Sequence, residues 1–146
     1  MTVDRTYRLG IVRRSRHIGC AVLRGTTLVY IVSGRQTGQR PRRIADLVGR
    51  LCRDFPIGEL VTEPGGGAFA AARDIPVVEV SLSDALSRLV PEHPRPRRSM
   101  LVEHVAGRYP AVRHTIRRCR RVTRDRTASL YAVALALTCA SATDQP

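Results

Sequence analysis

Ten arginines in three close groups and one glutamate at the end of an apolar run are the residues whose types and spacing suggest chemistry. Arg13, Arg14 and Arg16 crowd one short stretch, Arg95, Arg97 and Arg98 a second, and Arg117, Arg118, Arg120 and Arg121 a third. A guanidinium is always charged, and its planar fork matches the oxygens of a phosphate. Each arginine is also open to the plainer reading of a solvated surface charge. Glu63, in VTEP, ends the run ELVTE and is followed by PGGG. The Pro64–Gly67 stretch offers backbone amides but follows no phosphate-loop pattern and has no lysine, so a wide turn is the better reading. His114 and Cys119 have no further partners with metal-ligand spacing. Tyr30, Tyr109 and Tyr131 are too scattered to form a stacking array.

The whole composition leans the same way. The 146 residues carry a formal charge of +13, and all 25 basic residues are arginine. Two readings fit: arginine-rich codon usage with a solvated surface, or phosphate contact. An acidic protein partner is the other way to use such a charge. Cys20, Cys52, Cys119 and Cys139 lie far apart, which is neither a zinc knuckle nor a disulfide frame. The first, second and fourth fall on apolar faces and read as small core residues; Cys119, inside RRCRR, reads as a surface thiol. The apolar runs are shorter than the ~20 residues of a membrane helix, and the N-terminus lacks the apolar region of a secretory signal. A cytoplasmic protein without membrane contact is expected.

The elements that must position these residues follow from periodicity. Tyr7–Val12 and His17–Leu23 read as two strands around a basic turn, Arg13–Arg16, and Thr26–Ser33 as a third strand. Gly10 and Gly19 mark places where another backbone or a ligand comes close. Ile44, Leu47, Val48, Leu51, Cys52 and Phe55 have the spacing of a helix starting at Pro41. Glu59–Glu63 and Ile75–Val80 read as strands, with two helical turns over Ala68–Arg73 between them. Ser83 is placed as the cap of a helix carrying Leu86 and Leu89. Pro91–Arg98 is a stiff basic loop, Ser99 starts a further helix that ends near Gly107, and Asp125 is placed as the cap of a last helix over Arg126–Cys139. The order β-β-β-α-β-α-β-α-α-α predicts an α/β fold, a mixed sheet with three antiparallel strands then two parallel ones, flanked by helices. The length suits one domain, assigned to residues 1–140 with a loose tail over 141–146.

Three segments resemble the RuvC branch of the RNase H-like fold, the Holliday-junction resolvases, and its relative YqgF. That family opens roughly L-G-I-D-P-G-S-R-x-x-G-x-A-V, and LGIVRRSRHIGCAV, Leu9 to Val22, lies along it without a gap. VTEP places Glu63 where the family's fourth strand ends in glutamate. RTASLYAVALA, Arg126 to Ala136, lies along the family's last helix, D-x-A-D-A-L-A-V-A-L-A. The connection from Glu63 to Ile75 is shorter than in the resolvases.

Active members of that family hold two divalent metals with four carboxylates. The resemblance puts Val12, Glu63, Arg126 and Ser129 at those positions. Two hard cations ~3.5–4 Å apart need several oxygen anions around them, and this set supplies one. Asp125 is the nearest candidate for a relocated ligand. The resemblance therefore implies a degenerate resolvase relative, with no cofactor and Glu63 vestigial, paired with Arg126 or Arg13 or else pointing into water. Its expected partner is branched DNA or RNA, met by the three arginine groups. Two rivals stand beside it: a Mg-dependent endonuclease with rearranged ligands, and a scaffold subunit of a larger nucleoprotein assembly. A homodimer is implied only because resolvases of this family are dimers.

Overall fold

Strand β1 (Tyr7–Arg14) turns at its basic end into β2 (His17–Arg24), and the two pair antiparallel in unbroken register from Tyr7 with Arg24 to Arg14 with His17. The computed structural model describes residues 5–14, 17–35, 41–65, 74–110, 112 and 124–143, apart from the side chains of residues 14, 34–35, 41–44, 124–127 and 141–143. Arg13 and Arg14 are thus strand residues, not part of the turn. Their backbones pair with Ile18 and His17, and a charged side chain at the open end of a ladder does not oppose that pairing. Strand β3 (Thr27–Arg35) follows after a two-residue turn in which Gly25 takes φ 58°, a conformation open to glycine at little cost.

Helix α1 (Pro41–Asp54) leads to β4 (Ile57–Thr62), which runs parallel to β1, and β5 (Val77–Glu79) runs parallel to β4. The sheet order is β3-β2-β1-β4-β5, the mixed arrangement expected. Helices α2 (Leu82–Leu89), α3 (Arg98–Arg108) and α4 (Arg124–Thr143) follow. The proposed helical turns over Ala68–Arg73 lie outside the described residues.

Alternation along the strands divides the core in two. Leu9 and Ile11 of β1, Cys20 and Val22 of β2 and Leu60 of β4 pack with Val48 and Leu51 of α1. Val12, Ala21, Leu23 and Val61 face the other way and pack with α2, α3 and α4. Helix α4 is apolar on every side from Leu130 to Leu137 and is buried throughout that stretch, as expected of a central helix. Gly10 and Gly19 allow its close approach. A Cβ on Gly10 would lie 2.2 Å from the Ala132 carbonyl oxygen, and one on Gly19 2.1 Å from the Ser129 nitrogen.

Two caps differ from expectation. Ser81, not Ser83, caps α2, its Oγ accepting from the Asp84 amide at 3.0 Å, because Leu82 must already turn inward in the first helical turn. Asp125 lies inside α4, which includes Arg124, so it does not cap that helix; α4 also runs on past Cys139 to Thr143.

Candidate functional site

The parallel strands β1, β4 and β5 end on one edge, and α2, α3 and α4 all begin there. Ile11 is level with Thr62 in the β1–β4 ladder, so the next residues, Val12 and Glu63, come side by side. Val12 also pairs with Gly19, which lies under the Ser129 amide. Chain topology therefore gathers Val12, Glu63 and Ser129 at one place, with Arg126 one turn earlier on α4.

The environment of these residues determines what they can do. Val12 is 1% exposed and Ser129 4% exposed, and Val12 belongs to the same apolar cluster as Ala128, Leu130 and Tyr131. Glu63 is half-buried at the strand end. The side chains of Asp125 and Arg126 lie outside the described residues. A pair of hard cations needs several carboxylate oxygens, and this donor set does not fit one: valine has no donor atom and serine is neutral. Among the described residues, no three His, Cys, Asp or Glu side chains come together to hold a metal.

Beside Glu63 opens a recess of about 410 Å³ with Pro64, Ser81, Ser83, Pro96 and Arg98 in its walls. It lies between the end of β4 and the first turns of α2 and α3. Arg13, Arg95, Arg97 and Arg98 are exposed, Arg13 at the end of β1 and the others where the α2–α3 connection enters α3. The side chain of Arg14, and all of Arg16, Arg117, Arg118, Arg120 and Arg121, lie outside the described residues. The Pro64–Gly65 turn is no phosphate cradle at Gly65, whose amide donates to Glu79 Oε1 at 3.4 Å.

A second charged feature was missed in the sequence. Arg8, on the α4 face of β1, is 4% exposed, and its Nε lies 3.5 Å from Glu59 Oε2 on β4. The pair borders a cavity of about 310 Å³ together with Asp84, Arg88, Thr138 and Cys139. Burial and the Glu59 charge raise the Cys139 thiol pKa, against the opposing pull of Arg8 and Arg88. The available signal was position: Arg8 shares the inward face of β1 with Gly10 and Val12.

No family model matches the chain, and no curated protein matches it by sequence. Solved structures do. Thermus thermophilus RuvC superposes with a TM-score of 0.69 at 18% identity, over 94% of this chain and 95% of that one. This chain has the RuvC fold. The T. thermophilus RuvC structure in complex with a Holliday junction substrate gives a TM-score of 0.67 at 15% identity, over 94% of both chains. The RuvC-like mixed sheet with helices around it is thus as the sequence resemblance implied. No described helix is long and apolar enough to cross a membrane.

Proposed function

We propose that this chain is a RuvC-like domain that binds structured nucleic acid, branched DNA or RNA, and does not hydrolyse it by a two-metal route. The carrying observation is Val12, which is 1% exposed and fills with apolar packing the place where the resemblance puts a strand-1 carboxylate. Ser129, neutral and buried, stands at a second such place. Glu63 is left as the one acid of the four matching positions, and Arg126 brings a cation to the last.

Binding rests on charge. The formal charge is +13, and Arg13, Arg95, Arg97 and Arg98 are exposed at the end of β1 and the start of α3. Arg14, Arg16, Arg117, Arg118, Arg120 and Arg121 are further candidate contacts on the sequence alone. That a solved RuvC of the same fold holds a Holliday junction supports a branched substrate. Contacts of this type grip the phosphate backbone and carry little sequence information.

The test is a side-by-side binding measurement on four-way, duplex and single-stranded DNA and on RNA, with and without Mg²⁺, across a salt series. Log affinity is expected to fall linearly with log salt, with a slope of about −0.9 per phosphate neutralised on duplex DNA, and without strand cleavage. A flat salt response removes the arginine grip. Cleavage that EDTA abolishes removes the non-hydrolytic reading.

A further inference from the structure

Phosphate contacts use the exposed arginines but leave unused the recess of about 410 Å³ beside Glu63. Its lining is mixed. Leu82 and Leu86 are buried side chains that reach it, and the exposed Pro64 and Pro96 add flat apolar surface. Glu63 brings a carboxylate, Ser83 a hydroxyl and Arg98 a cation. A cavity of this size, with apolar faces set among several polar and charged groups, has room for one small planar ligand; a base pair would not enter.

An ionised carboxylate only accepts hydrogen bonds, so Glu63 selects a ring edge with neighbouring N–H donors. Guanine presents two, its N1–H and its 2-amino group. Adenine and cytosine place a ring acceptor beside the amino group, and thymine flanks its N–H with two carbonyls. We propose that the recess receives one unpaired guanine nucleotide of a bound strand, with its Watson–Crick edge on Glu63 and its phosphate on Arg98. This rests on the nucleic-acid reading above and gives Glu63 a use in place of metal ligation. Taking a base out of a stack is least costly where it is already unpaired, which is the condition near a branch or bulge.

The experiment is fluorescence anisotropy with plain duplex DNA and with the same duplex carrying one unpaired guanine, adenine, cytosine or thymine, at fixed salt and without metal. The guanine bulge is expected to bind about tenfold tighter than the adenine bulge, the scale of one bidentate base contact. Glu63→Gln is expected to erase that difference, because the amide sets a donor against a donor. Ser83→Trp, a change at an exposed position, fills the recess and is expected to bring the ratio of bulged to plain duplex affinity to unity. If Glu63→Gln does not fold, the wild-type series and Ser83→Trp decide. Equal affinity for all five duplexes overturns the inference and leaves the proposed function standing; no binding to any of them overturns the inference, and no binding to four-way DNA or RNA as well overturns both. Free guanosine monophosphate is titrated alone, and affinity equal to that of the guanine bulge overturns the assignment to a bound strand.

Discussion

Gly19 lies so close beneath Ser129 that a methyl group on it would come within 2.1 Å of the Ser129 amide nitrogen. Both partners are backbone, one in a sheet ladder and one in a helix, so neither can swing aside. Gly10 makes the same contact one turn along, 2.2 Å from the Ala132 carbonyl oxygen. Gly19→Ala and Gly10→Ala are therefore each expected to cost about 3 kcal/mol or more, measured by urea unfolding. Gly107, inside α3, has nothing within 4 Å of its would-be Cβ. Gly107→Ala is expected to stabilise by about 0.5–1 kcal/mol through helix propensity alone. Equal effects at the three sites would refute the close docking of α4.

Val12→Asp restores the acid that the resemblance expects, at a position 1% exposed. A carboxylate there must either be charged in an apolar cluster or keep its proton, so its pKa rises in the folded state. The sign follows: the folded protein then binds more protons than the unfolded one, and stability falls as pH rises above about 4, the unfolded value. The unfolding free energy of Val12→Asp is expected to drop by about 3 kcal/mol or more near neutral pH and to recover partly in acid. Mg²⁺ is expected to restore none of the loss. Rescue by Mg²⁺ would mean that a working ligand set survives around position 12.

Arg8 and Glu59 are directly opposite in the β1–β4 ladder and form an ion pair with one partner well inside the protein. Glu59→Gln leaves a buried guanidinium short of a countercharge, whereas Arg8→Met removes the charge and keeps much of the packing. Glu59→Gln is expected to cost about 2 kcal/mol, at the low end for a buried pair, because the Glu59 side chain keeps 22% exposure. Arg8→Met is expected to cost less, and the double variant to be more stable than Glu59→Gln alone. A double-mutant cycle with additive losses would show that the two do not interact.

What was legible in the sequence was whatever repeats with the period of its element. Val48 with Leu51 gave the inward side of α1, whereas the two faces of β1, Leu9 and Ile11 on one and Val12 on the other, are seen in the packing. Gly10 and Gly19 were readable as close approaches because a missing Cβ in a strand needs a reason. Arg13 and Arg14 were placed in the turn because their charge suggests a loop, yet backbone pairing does not depend on it. Ser81 and Ser83 both precede the same apolar run, and the burial of Leu82, a tertiary fact, decides between them. Arg8 was hidden among many surface arginines. The recess had no local signal at all, since Glu63 and Arg98 meet only through the docking of α3.

His104 provides a pH test of the α3 packing. It is half-buried, its Nε2 is buried without a hydrogen-bond partner, and Arg108 follows one turn later on the same helix. Burial first, and the Arg108 charge second, hold its pKa below the ordinary 6.5. A group whose folded pKa is depressed contributes stability that is present above its unfolded pKa and lost as pH falls through the folded one. The protein is therefore expected to lose stability as pH drops below about 6.5, and His104→Leu to lose less of it over the same interval. Comparing urea midpoints of the two proteins on either side of that value isolates His104 from the other histidines. High salt screens the exposed Arg108 but not burial, so most of the difference is expected to persist in 1 M NaCl. A pH response identical in both proteins would mean that His104 is solvated in the fold and that α3 docks less closely than described.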